Sequence, residues 1–357
     1  MKISIGSNIV EGPWGGGNQF AVSLSRYLKN KGWEVTPGLC DKDIDIILMT
    51  EPRITSKSGA YNQRQISRYL IKKPDTVVIH RINECDERKG TRGVNKYLMR
   101  ANMVADYTIF ISDFLRNLFI KKGLFKNKNS SAVKNGADAE IFNRRGIKKW
   151  DRKSPLKIVT HHWGYSYSKG FDIYEKLGVI SSVGNIRIKF NYIGRIPDDV
   201  EFRGIKIIPP ISGKELADEL KSNHIYVTAS INEPAGMHHI EGAMCGLPLL
   251  YRDSGALPEY CSGFGVMFEG ASDFKDKLKE IIQKYDYYFN RLKEYPYNSN
   301  LMCQKYEDIF LGLLQKKDKL SKNIRRLKYL AIFLKETFLH TRDIMFIKLK
   351  RLIEKVF

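Results

Sequence analysis

The chain has 357 residues, of which 43% are hydrophobic and 28% charged, as expected for a globular protein of about two domains. No window holds the run of about 20 apolar residues that a membrane-spanning helix needs, and residues 1–6 resemble a strand rather than a signal peptide. The five cysteines are widely spaced and include no C-x-x-C pair. This argues against a disulfide framework or a zinc ribbon and favours a cytoplasmic location.

The net charge of +21 is distributed unevenly. Residues 1–150 hold 27 basic and 14 acidic side chains, residues 151–315 hold 20 and 21, and residues 316–357 hold 13 and 4. A basic chain is expected of a protein that binds nucleic acid and of a protein that binds an anionic membrane. Neither function accounts for a middle part without net charge. We therefore expect one part of the chain to meet a polyanion and the middle part not to.

Short apolar runs alternate with helical patterns, which is typical of an α/β fold with parallel sheets. In the first half, the predicted strands are residues 2–6, 44–50, 76–80, 107–112 and 131–134. The predicted helices between them are residues 18–31, 61–72, 93–105 and 113–122.

A polar, aperiodic segment at residues 135–155 ends in Ser154-Pro155 and predicts a domain boundary, giving domains 1–150 and 151–300. The second series of predicted strands is 156–161, 186–193, 204–208, 224–229, 248–252 and 265–268. Ser212 is the predicted N-cap of helix 213–222, with Glu215 completing a capping box. A helix at 301–315 is expected to return to the first domain. Two doubly wound, Rossmann-like domains would face each other across a cleft, where ligands meet the carboxyl ends of both sheets.

The most specific motif is Glu233-Pro-Ala-Gly-Met-His-His-Ile-Glu241, which begins in a loop after a predicted strand and continues into a helix. Gly236 allows a close backbone approach, and the free N–H groups of Met237 and His238 can bind an anion at the helix N-terminus. On this spacing Glu233 can reach a sugar hydroxyl and Glu241 a ribose diol.

With this motif the sequence resembles the retaining GT-B glycosyltransferases of the family-4 (glycosyl transferases group 1) type over roughly residues 1–315. The other elements that carry the resemblance, in family order, are the glycine loop Gly15-Gly16-Gly17, Asn135-Gly136-Ala137-Asp138, Lys169-Gly170 and Leu257-Pro258-Glu259. The resemblance implies transfer of a hexose-like sugar from a UDP- or GDP-sugar with retention at the anomeric carbon. It implies no metal or other cofactor, and Gly16 and Gly17 would bind the donor.

Breaking the glycosyl–phosphate bond leaves a nucleoside diphosphate, whose developing charge needs cations and N–H dipoles. By resemblance Lys169 serves this purpose beside the Gly236 loop, and Glu233 orients the donor sugar. Family members usually also carry an Arg about five positions before Lys-Gly, where this chain has His162. Either His162 donates a neutral hydrogen bond to phosphate, or Arg195 compensates from the next strand end.

The loop after predicted strand 76–80 carries the candidate acceptor residues. Family members place a His there, near the donor sugar; His80 fits that catalytic role by residue type, with a structural histidine as the alternative. Asn83 fits by position, and Arg81 and Arg88 can hold an acceptor phosphate. A zinc site at the His-His pairs is disfavoured because adjacent strand residues point to opposite faces.

The tail 316–357 has an apolar stripe within a strongly basic segment, which predicts an amphipathic helix lying on an anionic membrane. The alternative is a seam that packs on another chain or on the core. Residues 116–128 mix apolar and basic side chains in the same way. The stripe comprises Ile324, Leu327, Ala331, Leu334, Phe338, Met345, Leu349, Leu352 and Val356.

Taken together, these patterns predict a glycosyltransferase at the inner face of the cell membrane, acting on a glycan or a lipid-pyrophosphate acceptor. Surface polysaccharide, capsule or lipopolysaccharide would be its product. A GT-B-shaped nucleotide-sugar epimerase or hydrolase is the alternative, and a nucleic-acid-binding protein is disfavoured because no recognition motif is present.

Overall fold

The computed structural model contains two six-stranded parallel sheets. It describes the chain except residues 11, 13, 14, 126–128, 165, 184–186, 198–201, 317–321 and 357, and it describes no side chain of residues 183, 346 and 349–356. The predicted α/β class with two doubly wound domains is confirmed.

The first sheet has the strand order β2-β1-β3-β4-β5-β6. Its strands are β1 (Lys2–Ile5), β2 (Glu34–Thr36), β3 (Ile46–Met49), β4 (Val77–Ile82), β5 (Tyr107–Phe110) and β6 (Ser130–Ala132). Its helices are α1 (Gly16–Asn30), α2 (Gln63–Lys72), α3 (Asp86–Lys89), α4 (Val94–Ala101) and α5 (Asp113–Lys121).

The second sheet has the strand order β12-β11-β10-β7-β8-β9. Its strands are β7 (Leu156–His162), β8 (Ile188–Gly194), β9 (Ile205–Ile208), β10 (Ile225–Thr228), β11 (Leu249–Arg252) and β12 (Gly265–Phe268). The remaining helices are α6 (Phe171–Val183), α7 (Gly213–Lys221), α8 (His238–Met244), α9 (Leu257–Cys261), α10 (Phe274–Gln283), α11 (Tyr285–Arg291), α12 (Ser299–Gln315) and α13 (Lys322–Val356).

Apolar clusters cover both faces of the first sheet, so its central strands are buried throughout. In β3 all four side chains are buried: Ile46 and Leu48 pack towards α1 and α12, while Ile47 and Met49 pack towards α2 and α13. Strands buried on both faces appear in a sequence as continuous apolar runs, which is why the prediction located them.

The strand order reverses between β1 and β3 in the first sheet and between β7 and β10 in the second. Loops at the carboxyl ends of strands beside such a switch point form the ligand crevice of doubly wound domains. The loops after β1, β4, β7 and β10 carry the glycine loop, the predicted acceptor residues, Lys169 and Glu233 respectively.

Local predictions failed at β2 and at the start of α7, among other places. The strand β2 was not predicted because it has only three residues and no apolar run. Ser212 does occupy the N-cap of α7, but its side chain makes no capping hydrogen bond, so the predicted capping box is wrong. The predicted start of strand 186–193 lies outside the described residues.

Helix α12 returns from the second sheet and packs against α1 of the first. On this helix, Glu307 accepts hydrogen bonds from Tyr27 Oη at 2.9 Å and Trp33 Nε1 at 3.1 Å. Two such bonds over a sequence separation of more than 270 residues tie the chain's later part to its first domain.

The long helix α13 docks on α2 through one face and exposes the opposite one. Tyr329 and Ile332 are buried against the first domain, and Glu336 is 1% exposed where it accepts a 2.7 Å hydrogen bond from Gln63 Nε2. The predicted stripe lies on the outer face of α13. Its described members therefore do not pack on the core, which was the alternative prediction. Their exposed fractions are 54% for Ile324, 66% for Leu327, 60% for Leu334, 74% for Phe338 and 67% for Met345.

Leu349, Leu352 and Val356 of the stripe lie outside the described side chains, and residues 126–128 of the second basic segment lie outside the described residues. Within the part of the chain that the structure describes, no helix is both long and apolar enough to cross a bilayer.

Candidate active site

A cavity of about 420 Å³ lies between the carboxyl ends of the two sheets. The glycine loop and the loop after β4 line it on the first-domain side, and the loops after β7 and β10 line it on the other. A second cavity of about 670 Å³ shares the glycine loop with the first and extends into the first domain, where Thr50 and Arg53 border it. The two cavities therefore adjoin along one cleft.

Glu233 is 3% exposed and carries two cationic contacts, one from each domain. Lys169 Nζ lies 3.0 Å from Glu233 Oε2, and Arg88 Nε lies 3.3 Å from Glu233 Oε1. Burial alone would raise the pKa of Glu233, but Lys169 and Arg88 hold that pKa well below its usual value. The carboxylate is therefore ionised at neutral pH, between two cations that an anionic ligand could attract.

A tight turn brings Lys169 to this position. Gly170 follows it with φ +97°, and a Cβ at Gly170 would lie 2.3 Å from the Cβ of Ala229. Only glycine fits both the left-handed conformation and the contact with Ala229. Burial lowers the pKa of Lys169, and the Glu233 carboxylate counteracts that shift.

The second carboxylate of the motif, Glu241, is held by a histidine. His161 Nε2 lies 2.6 Å from Glu241 Oε2, and Tyr226 Oη lies 3.1 Å from His161 Nδ1. Glu241 Oε1 is buried at the cavity wall with no hydrogen-bond partner among the described residues. A buried acceptor without a partner is costly, so this oxygen is suited to receive a ligand hydroxyl.

Between the two carboxylates, Gly236, Met237 and His238 all line the cavity. Helix α8 begins at His238, and a Cβ at Gly236 would lie 2.4 Å from His238 Nδ1, so a larger residue would displace the ring. Met237 reaches across the cleft: a Cβ at Gly16 would lie 2.6 Å from Met237 Cγ. The glycine loop thus passes directly over the start of α8.

His162 and Arg195, the two residues expected to assist Lys169, lie in different surroundings. The buried ring of His162 lines the cavity and lies 2.6 Å from Tyr174 Oη; burial, with a contribution from Lys169, lowers the pKa of His162 well below its usual value. Arg195 is exposed, stacks its guanidinium 5.0 Å from the Trp163 ring centroid, and does not line the cavity. Arg88, by contrast, lines the cavity and contacts the same carboxylate as Lys169.

On the first-domain side of the cleft, Arg81 is a buried cation with neutral partners. Its guanidinium lies 3.8 Å from the Phe20 ring centroid and donates to Tyr306 Oη at 3.2 Å and to Asn135 Oδ1 at 3.0 Å. Arg81 Nη1 has no partner among the described residues. Both Arg81 and Asn83 line the cleft.

His80 is not brought to the cavity, so the expectation for it is not met. It lies within β4, fully buried, with Nδ1 2.9 Å from Asn102 Oδ1, and burial lowers its pKa to about 4. Adjacent strand residues face opposite sides, and Arg81 takes the other side. His80 is therefore a structural histidine.

Glu259, part of the Leu257-Pro258-Glu259 element, lies away from both cavities. Its carboxylate accepts hydrogen bonds from the backbone N–H groups of Asp113 and Phe114, at the start of α5 in the first domain. It therefore caps a helix across the domain boundary. Among the residues that the structure describes, no three His, Cys, Asp or Glu side chains form a group suited to a metal ion.

No family model matches the sequence. A curated relative, the phosphatidylinositol N-acetylglucosaminyltransferase gpi3 subunit of Schizosaccharomyces pombe, is 23% identical over 210 residues, or 55% of this chain. The matched region spans only 45% of that relative's length.

Solved structures align over most of the chain. A glycosyltransferase from Rickettsia africae ESF-5 has a TM-score of 0.61 at 15% identity, over 89% of this chain and 99% of that one. An alpha-glucosyltransferase solved with UDP-glucose and DNA containing an abasic site has a TM-score of 0.59 at 14% identity, over 87% and 99%. The fold is GT-B.

Two contacts at the cavity of this GT-B chain were not predicted from the sequence. His161 was weighed only as a metal ligand, although its place at the end of β7, across the switch point from Glu241, was a usable signal. Arg88 was assigned to the acceptor, and nothing in the sequence indicates that it reaches Glu233 across 145 residues.

Proposed function

We propose that this chain is a retaining, metal-independent glycosyltransferase that moves a sugar from a UDP- or GDP-sugar to a glycan or lipid-linked acceptor. The observation that carries this proposal is the buried Glu233 between Lys169 and Arg88, at the point where two GT-B domains meet. The likeness to an alpha-glucosyltransferase solved with UDP-glucose supports a nucleotide-sugar donor.

The donor diphosphate would draw Lys169 and Arg88 from Glu233, with the backbone N–H groups near Gly236 as further donors. Cations and dipoles aimed at the leaving diphosphate stabilise the charge that develops as the glycosyl bond breaks. Glu233, freed from its cations, would accept a hydrogen bond from a donor sugar hydroxyl and orient the ring. Glu241, held by His161, would accept from the ribose.

In this mechanism the acceptor hydroxyl attacks the anomeric carbon on the face from which the phosphate leaves, and the departing phosphate takes the hydroxyl proton. Retention follows without a covalent enzyme intermediate. Arg81 and Asn83, on the first-domain side of the cleft, would hold the acceptor. Domain 1–150 thus binds the acceptor and domain 151–300 the donor.

We also propose that α13 binds an anionic membrane at the inner face of the cell membrane, where a lipopolysaccharide, O-antigen or capsule acceptor would lie. Its outward stripe combines large apolar side chains with basic neighbours such as Lys328 and Lys335. The Schizosaccharomyces pombe relative is named for phosphatidylinositol, a membrane lipid, which is consistent with this location.

A thermal-shift panel of UDP-, GDP- and ADP-sugars, followed by a donor-consumption assay, tests the proposal. We expect one donor to stabilise the protein and Lys169→Ala to abolish both the shift and turnover, whereas Lys148→Ala, on the surface, changes neither. Donor conversion to an epimer, or to free sugar, without an acceptor would indicate the epimerase or hydrolase instead. No stabilisation by any donor would overturn the assignment.

A further inference from the structure

A separate basic cavity of about 690 Å³ lies in the first domain, between α4 and the C-terminal half of α13. Its lining combines five cationic side chains with one acidic one and with an apolar wall. The cations are Arg53, Arg92, Lys96, Arg100 and Arg342, the acid is Asp343, and the apolar wall includes Ile54, Val94, Tyr97 and Ile347.

The positive charge of this cavity is only partly neutralised. Arg53 Nε donates to Glu51 Oε1 at 2.7 Å, and Arg100 pairs with Asp343 at 2.8 Å and with the buried Glu336 at 3.4 Å. Arg342 lies 3.4 Å from Asp343. Arg92 and Lys96 are exposed and have no carboxylate partner among the described residues. The cavity therefore presents two cations without carboxylate partners beside three arginines that carboxylates hold in place, which suits a ligand with more than one negative charge.

The cavity also lies between the two regions to which the proposed function assigns roles. Arg53 borders it and also borders the first-domain half of the cleft. On the other side, Arg342 belongs to α13, at the edge of the face that exposes Phe338 and Met345. Arg53 is thus common to the linings of this cavity and of the first-domain half of the cleft.

We propose that this cavity binds the phosphate or pyrophosphate group of a lipid acceptor, with the first carbons of the hydrocarbon chain against its apolar wall. The inference rests on the proposed function for the identity of the ligand as an acceptor, but binding itself requires no donor. A free phosphate ion would use the cations and leave the apolar wall unused, so the combination favours a lipid phosphate.

The test uses farnesyl diphosphate as the probe in equilibrium binding to the full chain, with inorganic pyrophosphate and farnesol as comparisons. We expect farnesyl diphosphate to bind more tightly than either comparison. The double variant Arg92→Ala/Lys96→Ala should weaken its binding by about tenfold or more, since two charge-assisted contacts are lost. The matched control Lys148→Ala/Lys153→Ala removes two exposed charges elsewhere and should leave the affinity unchanged.

Three outcomes would overturn the proposal. Equal affinities in the two double variants would show that the cavity does not bind the probe. Loss of pyrophosphate and farnesyl diphosphate binding to the same extent would indicate a site for free phosphate. Loss of farnesyl diphosphate binding in Lys169→Ala would place the probe in the donor site. None of these results depends on turnover. The tests of the transferase activity and of this binding site can therefore give opposite results.

Discussion

Arg88 and Glu233 lie in contact across the cleft, with Arg88 Nε 3.3 Å from Glu233 Oε1. Arg88 belongs to the first domain and Glu233 to the second, and Glu233 raises the pKa of Arg88. The contact places a second cation at the carboxylate that Lys169 also contacts, whereas the sequence predicts His162 or Arg195 as the group that assists Lys169. The first domain therefore supplies a cation to the carboxylate that Lys169 of the second domain also contacts.

If Arg88 balances the leaving diphosphate, Arg88→Ala should reduce kcat/KM for transfer by roughly 100-fold or more, the scale of losing one preorganised donor at a developing charge. Arg88→Lys should recover part of that loss, because the charge returns without the planar fork. Lys122→Ala, which removes a surface ion pair with Glu87, is the matched control and should retain activity. If Arg88→Ala kept activity near the wild-type level, Arg88 would not stabilise the leaving diphosphate.

The bond between Glu241 and His161 gives a distinct expectation for nucleotide affinity. Glu241→Ala should raise the dissociation constant of the donor nucleotide roughly tenfold, because a charge-assisted acceptor for the ribose is lost. His161→Ala should raise the donor KM and leave kcat little changed, since it acts by positioning Glu241. Calorimetry measures the dissociation constant and initial rates measure KM and kcat, with Glu215→Ala as a surface control. A lowered kcat at unchanged nucleotide affinity would contradict the ribose role of Glu241.

His239 predicts a pH dependence of stability. It is fully buried, neither ring nitrogen has a partner among the described residues, and burial lowers its pKa to about 3. Below pH 6.5 the unfolded chain binds a proton at His239 that the folded chain does not bind. The free energy of unfolding therefore decreases as the pH is lowered from about 6.5 to about 3. The expected slope is about 1.4 kcal/mol per pH unit.

The variant His239→Phe removes this group and suits the site, where the ring packs 5.2 Å from Tyr260. Urea unfolding between pH 6 and pH 4 should therefore give a shallower loss of stability in His239→Phe than in the wild type, by about 1.4 kcal/mol per pH unit. Parallel pH curves for the two proteins would refute the burial of a neutral His239.

The outward stripe of α13 predicts vesicle binding that can be tested without disturbing its docked face. Leu334→Glu/Phe338→Glu should reduce sedimentation with phosphatidylglycerol-rich vesicles by at least about tenfold, because two apolar side chains no longer insert. The matched control Val179→Glu/Tyr287→Glu adds the same charge at similarly exposed positions of the second domain. If both variants lost vesicle binding to the same extent, vesicle binding would depend on net charge alone.

The sequence predicted central strands such as β3 and β10 well, because each combines β-branched residues with burial on two faces. It also located the ligand loops, since Gly15–Gly17, Lys169-Gly170 and Glu233 all follow strand ends. It misjudged His80 because residues 76–80 carry no polar alternation that could reveal which side of the sheet each side chain faces. It likewise left open which face of the tail helix would dock.

By itself, then, the sequence determined the α/β class, the chain order of the loops and the presence of a basic, amphipathic tail, all of which depend on local periodicity and residue type. Only the tertiary structure decided that Arg88 meets Glu233, that His161 holds Glu241, and that α13 docks through Tyr329 and Ile332 with its apolar stripe outward. The reason is physical: periodicity is a property of neighbouring residues, whereas a contact across the cleft or a buried helix face depends on the shape and charge of distant segments.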